Sequence, residues 1–119
     1  MHDFKKLQVW QKSRQLVKDI YEVTQDFPKE ERYGLTSQIR RCVISVPSNI
    51  AEGCGRNTNA DTARFLDIAQ GSCFELETQI ILSYDLNYIS KVVVNNLWSR
   101  IDEVQKMIDG FKKSLKKKI

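Results

Sequence analysis

The chain has 119 residues, 41% of them hydrophobic and 29% charged, with a net charge of +4 and three cysteines. This is the composition of one ordinary globular domain, and it excludes a disordered chain, a collagen-like repeat and a disulfide scaffold. The pI of about 9.0 permits an anionic partner without establishing one.

The first apolar stripe comprises Leu7, Val9, Trp10, Leu16, Val17, Ile20, Tyr21 and Val23. Its spacing predicts a helix over 7–25. Phe27-Pro28 ends it, because a residue before proline avoids the helical region. Proline followed by Lys29-Glu30-Glu31 suits a helix start, so the second helix is placed at 29–54, with Gly34 breaking the first turn from the rest. Leu35, Ile39, Cys42, Val43, Val46 and Ile50 share one face, Pro47 is expected to bend the helix, and Gly53 and Gly55 end it.

Thr58 and Asp61 form a weak capping box at the start of a third helix over 58–87. Its core positions are Leu66, Ala69, Cys73, Leu76 and Ile80, and Gly71-Ser72 is read as a point of close approach by a neighbour. The fourth helix, 90–117, carries an unbroken seam of Val94, Leu97, Ile101, Val104, Ile108, Phe111 and Leu115. Five lysines end it: Lys112, Lys113, Lys116, Lys117 and Lys118. Short connections make neighbouring helices antiparallel, so the predicted fold is an all-α, up-down-up-down four-helix bundle in a single domain, 1–119.

Chemistry for catalysis is sparse. The one histidine is His2; there is no Glu-x-x-His pair, no clustered Cys and His, and no base beside Ser45, Ser48 or Ser72. A non-enzymatic protein without cofactor or metal is expected. The odd cysteine count, the start Met-His-Asp and the lack of a long apolar run point to a reduced, cytoplasmic protein that crosses no membrane.

The charges are more informative. Folding the second and third helices into a hairpin near 56–59 puts residues whose numbers sum to about 115 at one height. Arg40 is then level with Glu75, and Glu52 with Arg64, so interhelical ion pairing is the plain reading of these four. Glu52 also precedes Arg56 by one turn. Arg41 has no such mate and is the better candidate for an external phosphate or subunit. The lysine tail can cap the helix dipole as a solvated end or act as a cationic arm on phosphates. Trp10 and Trp98 are read as packing residues. Val9, Trp10, Val92, Val93 and Trp98 exceed what one thin core absorbs, so some are expected at subunit contacts.

Several runs carry a family resemblance: Leu7-x-Val9-Trp10-Gln11-Lys12, Phe27-Pro28-Lys29-Glu30-Glu31-x-Tyr33-Gly34-Leu35, Gln38-x-Arg40-Arg41, and Pro47-Ser48-Asn49-Ile50-Ala51-Glu52-Gly53-x-Gly55-Arg56. Phe65-Leu66-x-Ile68-Ala69-x-Gly71-Ser72-x-x-Glu75-Leu76-Glu77-Thr78 completes the set. Together they resemble the four-helix-bundle proteins encoded in intervening sequences of bacterial 23S rRNA genes, which often bear a ribosomal protein family label. The accessory variability protein of diversity-generating retroelements is a relative of that family. The resemblance implies assembly into a ring, a homopentamer with a central channel. It implies binding of RNA or DNA through basic surface and, on the retroelement branch, docking on a reverse transcriptase. Arg40, Arg41 and Arg56 match the family's basic positions. Lys112, Lys113, Lys116 and Lys117 lie outside the shared motifs and are candidates on charge alone.

Overall fold

A computed structural model describes residues 2–116. Four helices carry the fold: α1 (Gln8–Thr24), α2 (Leu35–Cys54), α3 (Asn59–Asp85) and α4 (Lys91–Lys116). Two short 3-10 turns, Phe4–Lys6 and Lys29–Glu31, precede α1 and α2. The backbones of α1 and α2, α2 and α3, α3 and α4, and α4 and α1 approach closely, while those of the diagonal pairs do not. The result is a square up-down-up-down bundle 48 Å long and 24 by 20 Å across.

Each end has a local cause. The second predicted helix starts at Leu35 rather than at 29, because Gly34 takes a non-helical backbone (φ −113°, ψ −116°) that separates the acidic turn from α2. Glu31 then caps α2 from the side: its Oε1 accepts from the Leu35 N–H at 3.1 Å and its Oε2 from the Tyr88 hydroxyl at 2.8 Å. Those two bonds hold the Glu31 carboxyl below its ordinary range. Thr58 caps α3 by accepting from the Asp61 N–H at 3.1 Å. The reciprocal half of the capping box does not form, since the Asp61 carboxylate turns to Arg64 and Arg56. At the other end α3 stops two residues before the predicted Asn87. Asn87 adopts φ 64° and the Tyr88 N–H reaches back to Ser83 O at 2.9 Å, a Schellman closure. α2 runs through Pro47 without interruption.

The expected seams are the core. On α3, Leu66, Ala69, Cys73 and Leu76 are completely buried, and on α4 so are Ile101 and Ile108; Phe111 is only half-buried. Each aliphatic side chain so buried stabilises by about 1.5–3 kcal/mol. Cys42 and Cys73 belong to this core, and burial is the first cause that raises both thiols from 9.0 to about 12. A standard thiol reagent at pH 8 is therefore expected to leave Cys42 and Cys73 unmodified in the folded protein and to label both after unfolding in urea. The unfolded chain releases these protons at lower pH than the folded one. Stability consequently falls as pH rises from about 9.

Two packing expectations need correction. Gly71 is not a point of close approach: a Cβ built there meets nothing within 4 Å. Gly71→Ala should accordingly stabilise the helix by about 0.5–1 kcal/mol, read as a higher urea midpoint. The close approach lies instead at Gly53, which is inside α2 rather than beyond its end. A Cβ there would sit 3.0 Å from Phe65 Cβ and 3.1 Å from Thr62 O.

Candidate nucleic-acid interface

The hairpin register is as expected. Thr62 Oγ1 donates to Gly53 O at 2.8 Å, and Ser45 and Ser72 hydroxyls meet at 2.5 Å. The ion pairs predicted from that register do not form. A step of about 100° per residue turns Arg40 away from α3 and brings Cys42 to face it. Cys42 Sγ donates to Ser72 O at 3.1 Å and lies 3.8 Å from Glu75 Oε2. Arg40 packs on α1 instead, with its guanidinium 4.5 Å from the Tyr21 ring centre. It donates to Thr24 Oγ1 at 2.9 Å and to Tyr21 O at 3.3 Å. Arg64 pairs with Asp61 at 3.0 Å rather than with Glu52. Interhelical ion pairs occur elsewhere: Lys12 with Glu103 at 3.1 Å and Arg100 with Asp19 join α1 to α4.

The remaining predicted cations divide by partner. Arg56 bonds Glu52 at 2.8 Å, lies 3.7 Å from Asp61 and covers the Phe65 ring. Lys112 is half-buried between the Asp67 carboxylate and Gln70 Oε1. Lys113 pairs with Asp109 at 2.9 Å, which holds that carboxyl below its ordinary range. Lys116 is exposed at the end of α4 and makes no ion pair among the described residues. Lys117 lies outside the described residues. Arg41 is exposed on α2 and has no hydrogen bond, ion pair or ring contact among the described residues.

Arg41 stands where two surface grooves meet. One, of about 480 Å³, runs between α2 and α3 and includes Gln38, Cys42, Ser45, Ser72, Glu75 and Gln79. The other, of about 420 Å³, faces α1 and includes Tyr21, Arg32, Thr36 and Arg40. Both share Tyr33, Ser37 and Arg41. Tyr33 is 87% exposed, the most exposed large apolar side chain among the described residues, with the Arg32 guanidinium 5.4 Å from its ring centre. The site is thus a corner holding Arg32, Arg40 and Arg41 around one open aromatic ring. Tyr33 was missed in the sequence because it lies in the turn before α2, outside every helical stripe. Its place between Arg32 and Gly34 was the available signal.

The tryptophans differ from the packing expectation by degree. Trp10 is half-buried under Arg14 and edge-on to Phe4. Trp98 is 46% exposed and its Nε1 donates to Glu77 Oε1 at 2.6 Å. α3 also carries outward apolar side chains that the core pattern concealed: Phe74 and Ile81, two turns apart on one face, and Ile68 on the other flank are exposed, Phe74 at 62%.

The model of the family described as 23S rRNA-intervening sequence protein matches residues 5–110. The chain belongs to that family. A crystal structure of a protein of unknown function from a ribosomal protein family of Bacteroides thetaiotaomicron superposes with a TM-score of 0.82. The alignment covers 88% of this chain and 95% of that one at 24% identity, so the likeness concerns the fold. Comparison with curated proteins gives no match. No described helix of this intervening-sequence protein is long and apolar enough to cross a membrane.

Proposed function

We propose that this intervening-sequence protein is a non-enzymatic, cytoplasmic, oligomeric bundle that binds RNA or DNA through phosphate contacts. The observation that carries the reading is Arg41, an exposed guanidinium with no partner among the described residues, set beside Arg32 and Arg40 on one corner. An arginine fork without a carboxylate is free to pair with phosphate in two-point fashion. Lys116, exposed at the end of α4, also makes no ion pair among the described residues. The family resemblance adds a ring, a homopentamer, which would repeat the Arg41 corner around its axis.

Filter binding of single-stranded RNA and DNA across a salt series tests the reading. Affinity should fall linearly with salt on logarithmic axes, because phosphate neutralisation releases counterions. Absence of binding at low salt, or a flat salt response, overturns it. Light scattering at micromolar concentration tests assembly, and a monomer refutes the ring.

The exposed pair Phe74 and Ile81, on one face of α3, favours a second reading, in which the bundle is a scaffold and this apolar face docks on a protein. On the retroelement branch that protein would be a reverse transcriptase. Co-purification with a reverse transcriptase, lost on Phe74→Glu with the fold intact, would support this reading over the first.

A further inference from the structure

The α2–α3 groove is not a plain cationic surface. One wall carries Arg41; the other carries Glu75 and Gln79. A surface made only to neutralise phosphates gains nothing from a carboxylate across from its free arginine. Glu75 makes no ion pair among the described residues, and the Cys42 thiol lies 3.8 Å from its Oε2. Gln79 Oε1 is buried and accepts no hydrogen bond. Gln79 Oε1 is closed off from the surface, so the acceptor that the far wall presents to the groove is the exposed carboxylate of Glu75. At the mouth stands the Tyr33 ring, 87% exposed.

A nucleotide has the matching polarity: an anionic phosphate at one end, a flat ring in the middle and, on three of the four bases, an amino group at the far edge. We propose that the α2–α3 groove holds one unpaired nucleotide, its phosphate on Arg41, its base stacked on Tyr33, and its amino edge donating to Glu75. This inference rests on the nucleic-acid reading above and adds strand type and base preference to it. A base inside a duplex has its face covered and its pairing edge occupied, so the groove selects single strands, where stacking on an aromatic ring is available. Uracil and thymine present carbonyl oxygens beside their one N–H, and those oxygens face the Glu75 carboxylate unfavourably. Cytosine offers its amino group to a carboxylate. The groove therefore prefers amino-bearing bases.

The test is fluorescence anisotropy at low salt with labelled oligo-cytidine and oligo-uridine of about 12 nucleotides, a length within known single-strand site sizes, and with an RNA duplex of equal length. Tyr33→Ala should weaken single-strand binding by about 5- to 100-fold, the equivalent of one lost base stack, and leave duplex affinity within about twofold. Tyr33→Phe should keep the single-strand affinity. Glu75→Gln should erase the preference for oligo-cytidine over oligo-uridine. Circular dichroism melts and light scattering on each variant separate binding from folding and assembly.

Equal loss on single strand and duplex overturns the proposal, as does an unchanged single-strand affinity in Tyr33→Ala. A change of assembled mass in Tyr33→Ala also overturns it, by marking the ring as a subunit contact. If the wild-type protein binds no oligonucleotide, the broader reading falls as well. If it binds with a salt slope but ignores Tyr33 and Glu75, only the present inference falls.

Discussion

Gly53→Ala is expected to destabilise the bundle by about 2 kcal/mol, within the 1–3 kcal/mol typical of overpacking, and to lower its melting temperature by about 8 °C. The added carbon meets Phe65 Cβ at 3.0 Å and Thr62 O at 3.1 Å, atoms fixed to the α3 backbone rather than the far ends of flexible chains. Relief requires α2 and α3 to separate at the point where Thr62 Oγ1 donates to Gly53 O at 2.8 Å. The same exchange at Gly71, which has open space, carries the opposite sign. Urea melts of the two variants check both signs. A Gly53→Ala midpoint equal to or above that of the wild type would show that the helices can part without cost.

Arg41→Ala should lower nucleic-acid affinity by roughly tenfold at low salt and reduce the salt slope by about one, the signature of a single lost phosphate contact. Its thermal stability should change little, because the side chain makes no hydrogen bond, ion pair or ring contact among the described residues. Arg40→Ala provides the contrast. Its guanidinium is hydrogen-bonded to Thr24 and Tyr21, so that variant should lose about 1 kcal/mol of stability per bond removed. Arg56→Ala and Lys112→Ala should affect binding less than Arg41→Ala, since carboxylates already hold both cations. The check is filter binding in parallel with thermal melts. Equal binding by Arg41→Ala and the wild type would remove the main support for the proposed function.

The bundle was legible because its signals are periodic. The α4 seam from Val94 to Leu115 and the α3 run from Leu66 to Ile80 repeat at helical spacing, and burial follows that spacing. The register of α2 against α3 was legible too, since a tight hairpin fixes which residue numbers share a height. What the register could not convey was azimuth. Arg40 and Glu75 are level but point apart, and only the rotation of α2 about its own axis shows it. Gly71 and Gly53 illustrate the same gap: both cost helix stability in isolation, and three-dimensional packing alone tells which one has a neighbour. The candidate site was half legible. Arg41 stood out as a cation without a mate, whereas Tyr33, Glu75 and Gln79 come from a turn and the opposite helix. Their convergence is a property of the folded hairpin.

The N-terminal segment is fastened to the C-terminal half of α4. The His2 ring lies edge-on to Phe111 at 5.1 Å, and the His2 N–H donates to Cys54 O at 3.1 Å. Asn59 donates to Leu115 O at 3.3 Å at the same pole. The described N-terminal segment and the C-terminal part of α4 are thus neighbours. A short Gly-Ser bridge between them, with new ends opened between Asn87 and Ser90, should give a circular permutant that keeps all four helices.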